Sequence, residues 1–156
     1  MFETTPKASD EWPAQDDLLT ATTMLPELLK SFLEGAPFAS ERFSRHGETF
    51  CYLKFEDSNG SPRERLERRS QLEDALNAEL IQGELGCVIG NGFGLRYSYV
   101  DLALVDVARA VPRVTGTLRR FEMPKKSWLL FCDTALADEW IPVGSEAPDP
   151  PGSRLD

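Results

Sequence analysis

Three groups of residues in this chain have the types and spacing that could do chemistry. Gly90-Asn91-Gly92-Phe93-Gly94 has the glycine content of a phosphate-cradling loop, in which bare backbone lets amides approach an anion closely. A dinucleotide fingerprint, however, needs a strand before the glycines and a helix after them, and here a second strand-like run follows. The glycines therefore read first as a turn, and Gly90, Asn91, Gly92 and Gly94 as a ligand-binding loop only in the alternative. Asp101 is the one carboxylate set among aromatics, with Tyr97 and Tyr99 on its own face of a strand-like run and Lys54 as the expected partner. It is the sole weak candidate for an acid catalyst, because burial raises a carboxylate's pKa and a structural ion pair is the commoner reason for such a placement. Asp138-Glu139-Trp140 is a tryptophan flanked by acids, the pattern of an anchor for a partner's pocket.

Other chemistries lack their residues. His46 is the only histidine, and no Cys-x-x-Cys, His-Glu-x-x-His or Gly-x-Ser-x-Gly occurs, so neither a metal nor a cofactor is expected. Cys51, Cys87 and Cys132 are odd in number and lie in apolar runs, which predicts buried free thiols. Arg63, Arg65, Arg68 and Arg69 alternate with Glu64, Glu67, Glu73 and Asp74 at helical spacing, a solvated face laced with ion pairs.

The elements that must position these groups follow from local signals. Cys51, Leu53 and Phe55 alternate with Phe50, Tyr52 and Lys54, the period of a strand. Ser61, Pro62 and Glu64 form a capping box with proline in the first turn, and Gly83 closes the helix they start. Leu85 to Val105 reads as a β-hairpin turning at Asn91-Gly92. Asp106 caps a second helix reaching Phe121, which Pro112 should kink or start. Ser127 to Cys132 is a last strand. Earlier in the chain, Pro26 to Glu34 reads as a short helix stopped by Gly35, either packed on the core or docking another chain.

The order strand, helix, strand, strand, helix, strand predicts an α+β fold of the ferredoxin-like split βαβ type (βαββαβ): a four-stranded antiparallel sheet with two helices on one face. Around that domain, 45–133, the expected divisions are a flexible acidic tail 1–17, a short helical extension 18–40 and an acidic, proline-containing tail 134–156. Two helices on one face leave the other open. Tyr52, Lys54, Tyr97, Tyr99, Asp101, Trp128 and Leu130 line it, too apolar a set to stay bare in water. The 18–38 segment, a second copy, the Trp140 tail or a partner should cover it.

The 156 residues carry a net charge of -9. Residues 1–17 contribute -4 and residues 133–156 contribute -5, so the stretch between them is balanced. Nucleic acid is not an expected partner, since phosphate binding needs a basic footprint. No apolar run approaches the ~20 residues that span a bilayer, and the first residues lack a basic stretch followed by an apolar one, which points to the cytoplasm and away from membranes. The leading expectation is a cytoplasmic binding protein that masks a partner rather than an enzyme. One concrete form is an immunity or antitoxin protein on a basic toxin enzyme, held through Tyr52, Tyr97, Tyr99, Asp101, Trp128, Asp138, Glu139 and Trp140. A homodimer through the open face is the other form of association. The alternative function is a small-molecule sensor or small enzyme built on the Gly90–Gly94 turn and the aromatic face.

Overall fold

The computed structural model describes residues 2–3, 18–143 and 147–150, so the expectations for 4–17, 144–146 and 151–156 lie outside the described residues. Its strands are β1 (Phe2–Glu3), β2 (Leu18–Thr23), β3 (Thr49–Glu56), β4 (Gly86–Gly94), β5 (Tyr97–Leu104), β6 (Ser127–Phe131) and β7 (Trp140–Pro142). Its helices are α1 (Pro26–Glu34), α2 (Pro62–Gln82) and α3 (Val107–Arg120). The fold is α+β. The expected four-stranded ferredoxin-like sheet with two helices is corrected: β2 to β7 form a six-stranded antiparallel sheet in the order β2-β4-β5-β3-β6-β7, with β1 adding two residues at the β2 edge, and there are three helices. Leu18–Thr23, placed by sequence in a helical extension, is an edge strand, and Trp140–Pro142, placed in a tail, is the opposite edge strand.

The two edges were silent in sequence for a physical reason. The three residues of β7 are too short to display a period, and β2, Leu18-Leu19-Thr20-Ala21-Thr22-Thr23, does not alternate; β2 is accepted by its neighbour because that neighbour is bare. Thr23, Thr22 and Ala21 pair with Gly90, Asn91 and Gly92. A Cβ on Gly90 would stand 2.6 Å from the Thr22 carbonyl oxygen and 2.6 Å from Asp101 Oδ2, so glycine is what allows β2 to close on β4 there.

This also corrects the hairpin. Asn91 and Gly92 lie inside β4, opposite Val100 and Tyr99, and the chain reverses at Leu95-Arg96. The glycines serve strand contact and a bulge between Val88 and Gly90, not the turn.

The helices form as their caps dictate. Ser61 Oγ accepts from the Glu64 amide at 3.3 Å while Glu64 Oε2 accepts from the Ser61 amide at 2.7 Å, and Pro62 occupies the first turn. In α3, Asp106 Oδ1 accepts from the Arg109 amide at 3.0 Å, so the helix starts at Val107 and runs through Pro112 instead of beginning there. In α1, Gly35 takes the left-handed conformation (φ 62°) that ends a helix.

One face of the sheet packs on α2 and α3. Cys51, Leu53, Val100, Leu102, Leu104 and Leu129 meet Leu72, Leu76 and Leu80 of α2 and Ala110, Val114 and Leu118 of α3 in a single aliphatic core. Each buried Leu or Val in such a layer is worth ~1.5–3 kcal/mol of transfer free energy. On the opposite face a smaller cluster gathers Phe38, Phe50, Ile89, Ala103 and Cys132, with Leu25 and Leu28 packed against it. The segment from α1 to Phe43 thus covers one end of that face.

Candidate functional site

The pleat carries alternate residues of β3 and β5 to the face opposite α2 and α3, and antiparallel pairing aligns them into rows. One row runs Gly90, Asp101, Tyr52, Leu130 and Trp140 across five strands. The next runs Gly92, Tyr99, Lys54, Trp128 and Pro142. Tyr97 follows, opposite Glu56. The structure therefore brings Tyr52, Tyr97, Tyr99, Asp101 and Trp140 onto one surface.

Their exposures differ in a way that decides their use. Tyr52, Tyr97, Tyr99 and Asp101 are partly buried, Asp138 and Glu139 are exposed, and Trp140 is 38% exposed. Trp128, expected as a contact residue, has no exposed surface and forms part of the floor of this face. The rings of Tyr52 and Tyr99 lie 6.5 Å apart and those of Tyr97 and Trp128 6.2 Å apart. Lys54, expected to pair with Asp101, holds Nζ 4.5 Å from the centre of the Tyr97 ring and 5.8 Å from that of Tyr99, an ammonium over aromatic faces.

Asp101 is the perturbed group. Its carboxyl is packed against Gly90, and burial, with a smaller push from the negative charge of Glu73, raises its pKa from 3.8 to about 7. An acid with that value can carry a proton near neutrality. Around it, however, stand tyrosines and a lysine held over their rings, and the described residues contain no cluster of ligating side chains for a metal.

The glycine run, in the alternative a ligand-binding loop, lies in a strand. Gly90, Gly92 and Gly94 are buried within β4, and Gly90 and Gly92 lie between β2 and β5, so their backbone is committed to neighbouring strands. Nothing in that arrangement offers free amides to a phosphate.

Two hollows lie elsewhere. One of about 460 Å³ is bordered by Phe38, Ser40, Glu48, Asp133 and Leu136. The Ser40 hydroxyl and amide both donate to the Asp133 carboxylate, the amide at 2.7 Å, and the same hydroxyl accepts from the Phe50 amide at 2.9 Å. Glu48 accepts from the Ser44 hydroxyl and from the amides of Arg45 and His46, which hold its pKa down to about 2. These groups answer one another and lock the 38–48 loop to the end of β6. His46 contributes its amide to this lock from an exposed position. The second hollow, about 250 Å³, lies between Arg65, Arg69 and Phe93.

Sequence reasoning missed the polar hub beside that hollow. Asp57 is buried just after β3, where its carboxylate accepts from Arg68 and from the Ser98 hydroxyl at 2.6 Å and forms an ion pair with Arg65, whose Nε stands 3.4 Å away without a hydrogen bond. Arg65 also donates to the Gly94 carbonyl at 2.9 Å, so the hub fastens the start of α2 to the hairpin. The arginines of α2, expected as a solvated face, are divided: Arg63 pairs with Glu67 in solvent, whereas Arg69 is buried with Glu73. Asp57-Ser58-Asn59-Gly60 carried the signal, an acid three residues before a glycine turn and within reach of the arginines that follow it.

The three cysteines are free thiols, Cys51 and Cys132 buried and Cys87 partly so. Burial pushes the Cys51 and Cys87 thiols up, away from the thiolate a nucleophile needs. Among the described residues no helix is long and apolar enough to cross a membrane. No family model matches the chain, and searches of curated proteins and of solved structures likewise find no match.

Proposed function

We propose that the chain is a protein-binding module that acts in the cytoplasm and masks a basic partner through the face opposite α2 and α3. The observation that carries this reading is Trp140, 38% exposed at the edge of the sheet, flanked by exposed Asp138 and Glu139 and aligned through Leu130 with Tyr52. A large aromatic anchor with an acidic rim is the arrangement that gives both a buried contact and electrostatic steering. The net charge of -9 adds long-range attraction for a basic surface. Beside this face, α1 has no buried residue, and Phe32 and Leu33 within it and Met24 just before it are exposed. Neutralisation of a basic toxin enzyme is one form this masking would take.

The test is native mass spectrometry of the full chain purified from its own host at low and at high salt, alongside Trp140→Ala and the double variant Asp138→Lys, Glu139→Lys. The expected result is a stoichiometric basic protein lost at high salt, retained at least tenfold less by both variants. A bare chain at low salt, a homodimer alone, or a partner held equally by all three forms would overturn the reading.

A further inference from the structure

Trp128 is wholly buried, and a buried indole N–H must find an acceptor. It finds one outside the sheet: Nε1 donates to the carbonyl of Pro148 at 2.6 Å, from the segment Ala147–Pro150. That segment carries no regular secondary structure, with Ala147 and Pro150 partly buried and Pro148 and Asp149 exposed. Its sequence, Ala147-Pro148-Asp149-Pro150-Pro151, is stiff before it binds. Each proline fixes its own φ near -65° and pushes the residue before it to extended backbone, so little ordering entropy is lost on docking. Prolines also bring no N–H to be stranded against an aromatic floor. An indole donating to the carbonyl of a proline-rich segment, beside a second aromatic ring, is how aromatic grooves recognise extended proline ligands. Here the second ring is Tyr97, 6.2 Å from Trp128 and tilted by 53°, with the Lys54 ammonium over its face.

We propose that the Trp128–Tyr97 end of this face is a groove for proline-containing extended segments, occupied in cis by Ala147–Pro150 and opened when a partner's segment of the same chemistry takes its place. The inference rests on the reading of this face as a partner-binding surface and adds its regulation: the chain's own segment competes for the floor next to Trp140. For an intramolecular ligand on a short linker the effective concentration is in the millimolar range, enough to hold a weak contact closed and to yield to a stronger one.

The experiment uses the full chain, labelled so that the Trp128 indole N–H is read by NMR and assigned by its loss in Trp128→Phe. Pro148→Gly with Pro150→Gly loosens the cis segment without touching the sheet, and Pro148→Ala is a milder second variant. The probe is the synthetic peptide Ser-Glu-Ala-Pro-Asp-Pro-Pro-Gly, the chain's own residues 145–152. The glycine variant should move the indole resonance and speed its exchange with solvent. Added peptide should restore the resonance saturably, with a midpoint at least tenfold lower than in the unaltered chain. An indole unchanged by the glycine variant, no saturable response, equal midpoints, or an equal response to the peptide with alanine in place of every proline would overturn the proposal. These readouts come from Trp128, so they fail separately from the Trp140 partner assay: peptide binding without a co-purified partner defeats the masking reading alone.

Discussion

The two faces of the sheet are built from the same strands and differ in almost everything else. Toward α2 and α3 the side chains are aliphatic and shut off from water, from Leu53 and Leu102 to Leu76 and Leu118. On the other side they are tyrosines, a lysine, a carboxylate and two tryptophans, roofed at one end by the α1 to Phe43 segment and at the other by Ala147–Pro150. That side keeps partly exposed aromatics and an acid whose pKa burial drives up to about 7. The difference teaches that one sheet can close an aliphatic core on one side and keep a partly open, polar and aromatic surface on the other, the surface to which partner binding is proposed.

The comparison is broken most severely by opening the aliphatic side. Leu76→Ala removes a wholly buried side chain contacting the centre of that core, and the expected loss is about 2–5 kcal/mol in urea-induced unfolding. A loss below about 1 kcal/mol would mean that the aliphatic layer collapses around the gap and is not the rigid side.

Particular residues show how far this division could be read in advance. The alternation Cys51, Leu53, Phe55 against Tyr52 and Lys54 separated the faces correctly, because a period of two is a local property. So did Ser61, Pro62 and Glu64 for α2, whose cap is made within four residues. What escaped depends on distant contacts. Asn91-Gly92 looked like a turn because Asn and Gly tolerate positive φ, but the run's glycine at 90 serves the close approach of a neighbouring strand, and only β2, some seventy residues earlier, reveals that. The actual turn, Leu95-Arg96, has no turn chemistry of its own and is fixed from outside, by Arg65 on the Gly94 carbonyl and the Asp57 amide on the Arg96 carbonyl. Trp128 was placed on the correct face but with the wrong exposure, since its cover comes from Pro148, twenty residues on.

A second, pH-dependent test acts on the face opposite α2 and α3. Asp101 has a folded pKa of about 7 against an unfolded value near 3.9, so between those values the folded chain binds the extra proton. Stability contributed by the neutral acid is therefore full below about pH 4 and is lost as pH rises toward and through 7. Asp101→Asn keeps the shape and cannot ionise. Relative to the unaltered chain it should gain stability at pH 8, by up to about 4 kcal/mol at 1.36 kcal/mol per pH unit, but only about 1 kcal/mol at pH 4.5 and nearly none below pH 3.5. Parallel stability curves for the two chains between pH 4 and 8 would show that Asp101 is not held neutral by the face.

The smallest expected effect contrasts the helices that serve the two sides. Helix α2 begins with a complete capping box, whereas the N-cap of α1 is Leu25, whose side chain makes no cap hydrogen bond, and α1 buries none of its residues. The helix under the aliphatic side carries its own start; the one beside the opposite face is held through Leu25 and Leu28, packed against the cluster that contains Phe38 and Ile89. Ser61→Ala should cost about 1 kcal/mol in chemical unfolding, while Phe32→Ser, at an exposed position of α1, should change stability by less than about 0.5 kcal/mol. If Phe32→Ser instead costs as much as the cap, α1 belongs to the cooperative core, and the apolar surface it offers is structural cover for the sheet rather than area open to a partner.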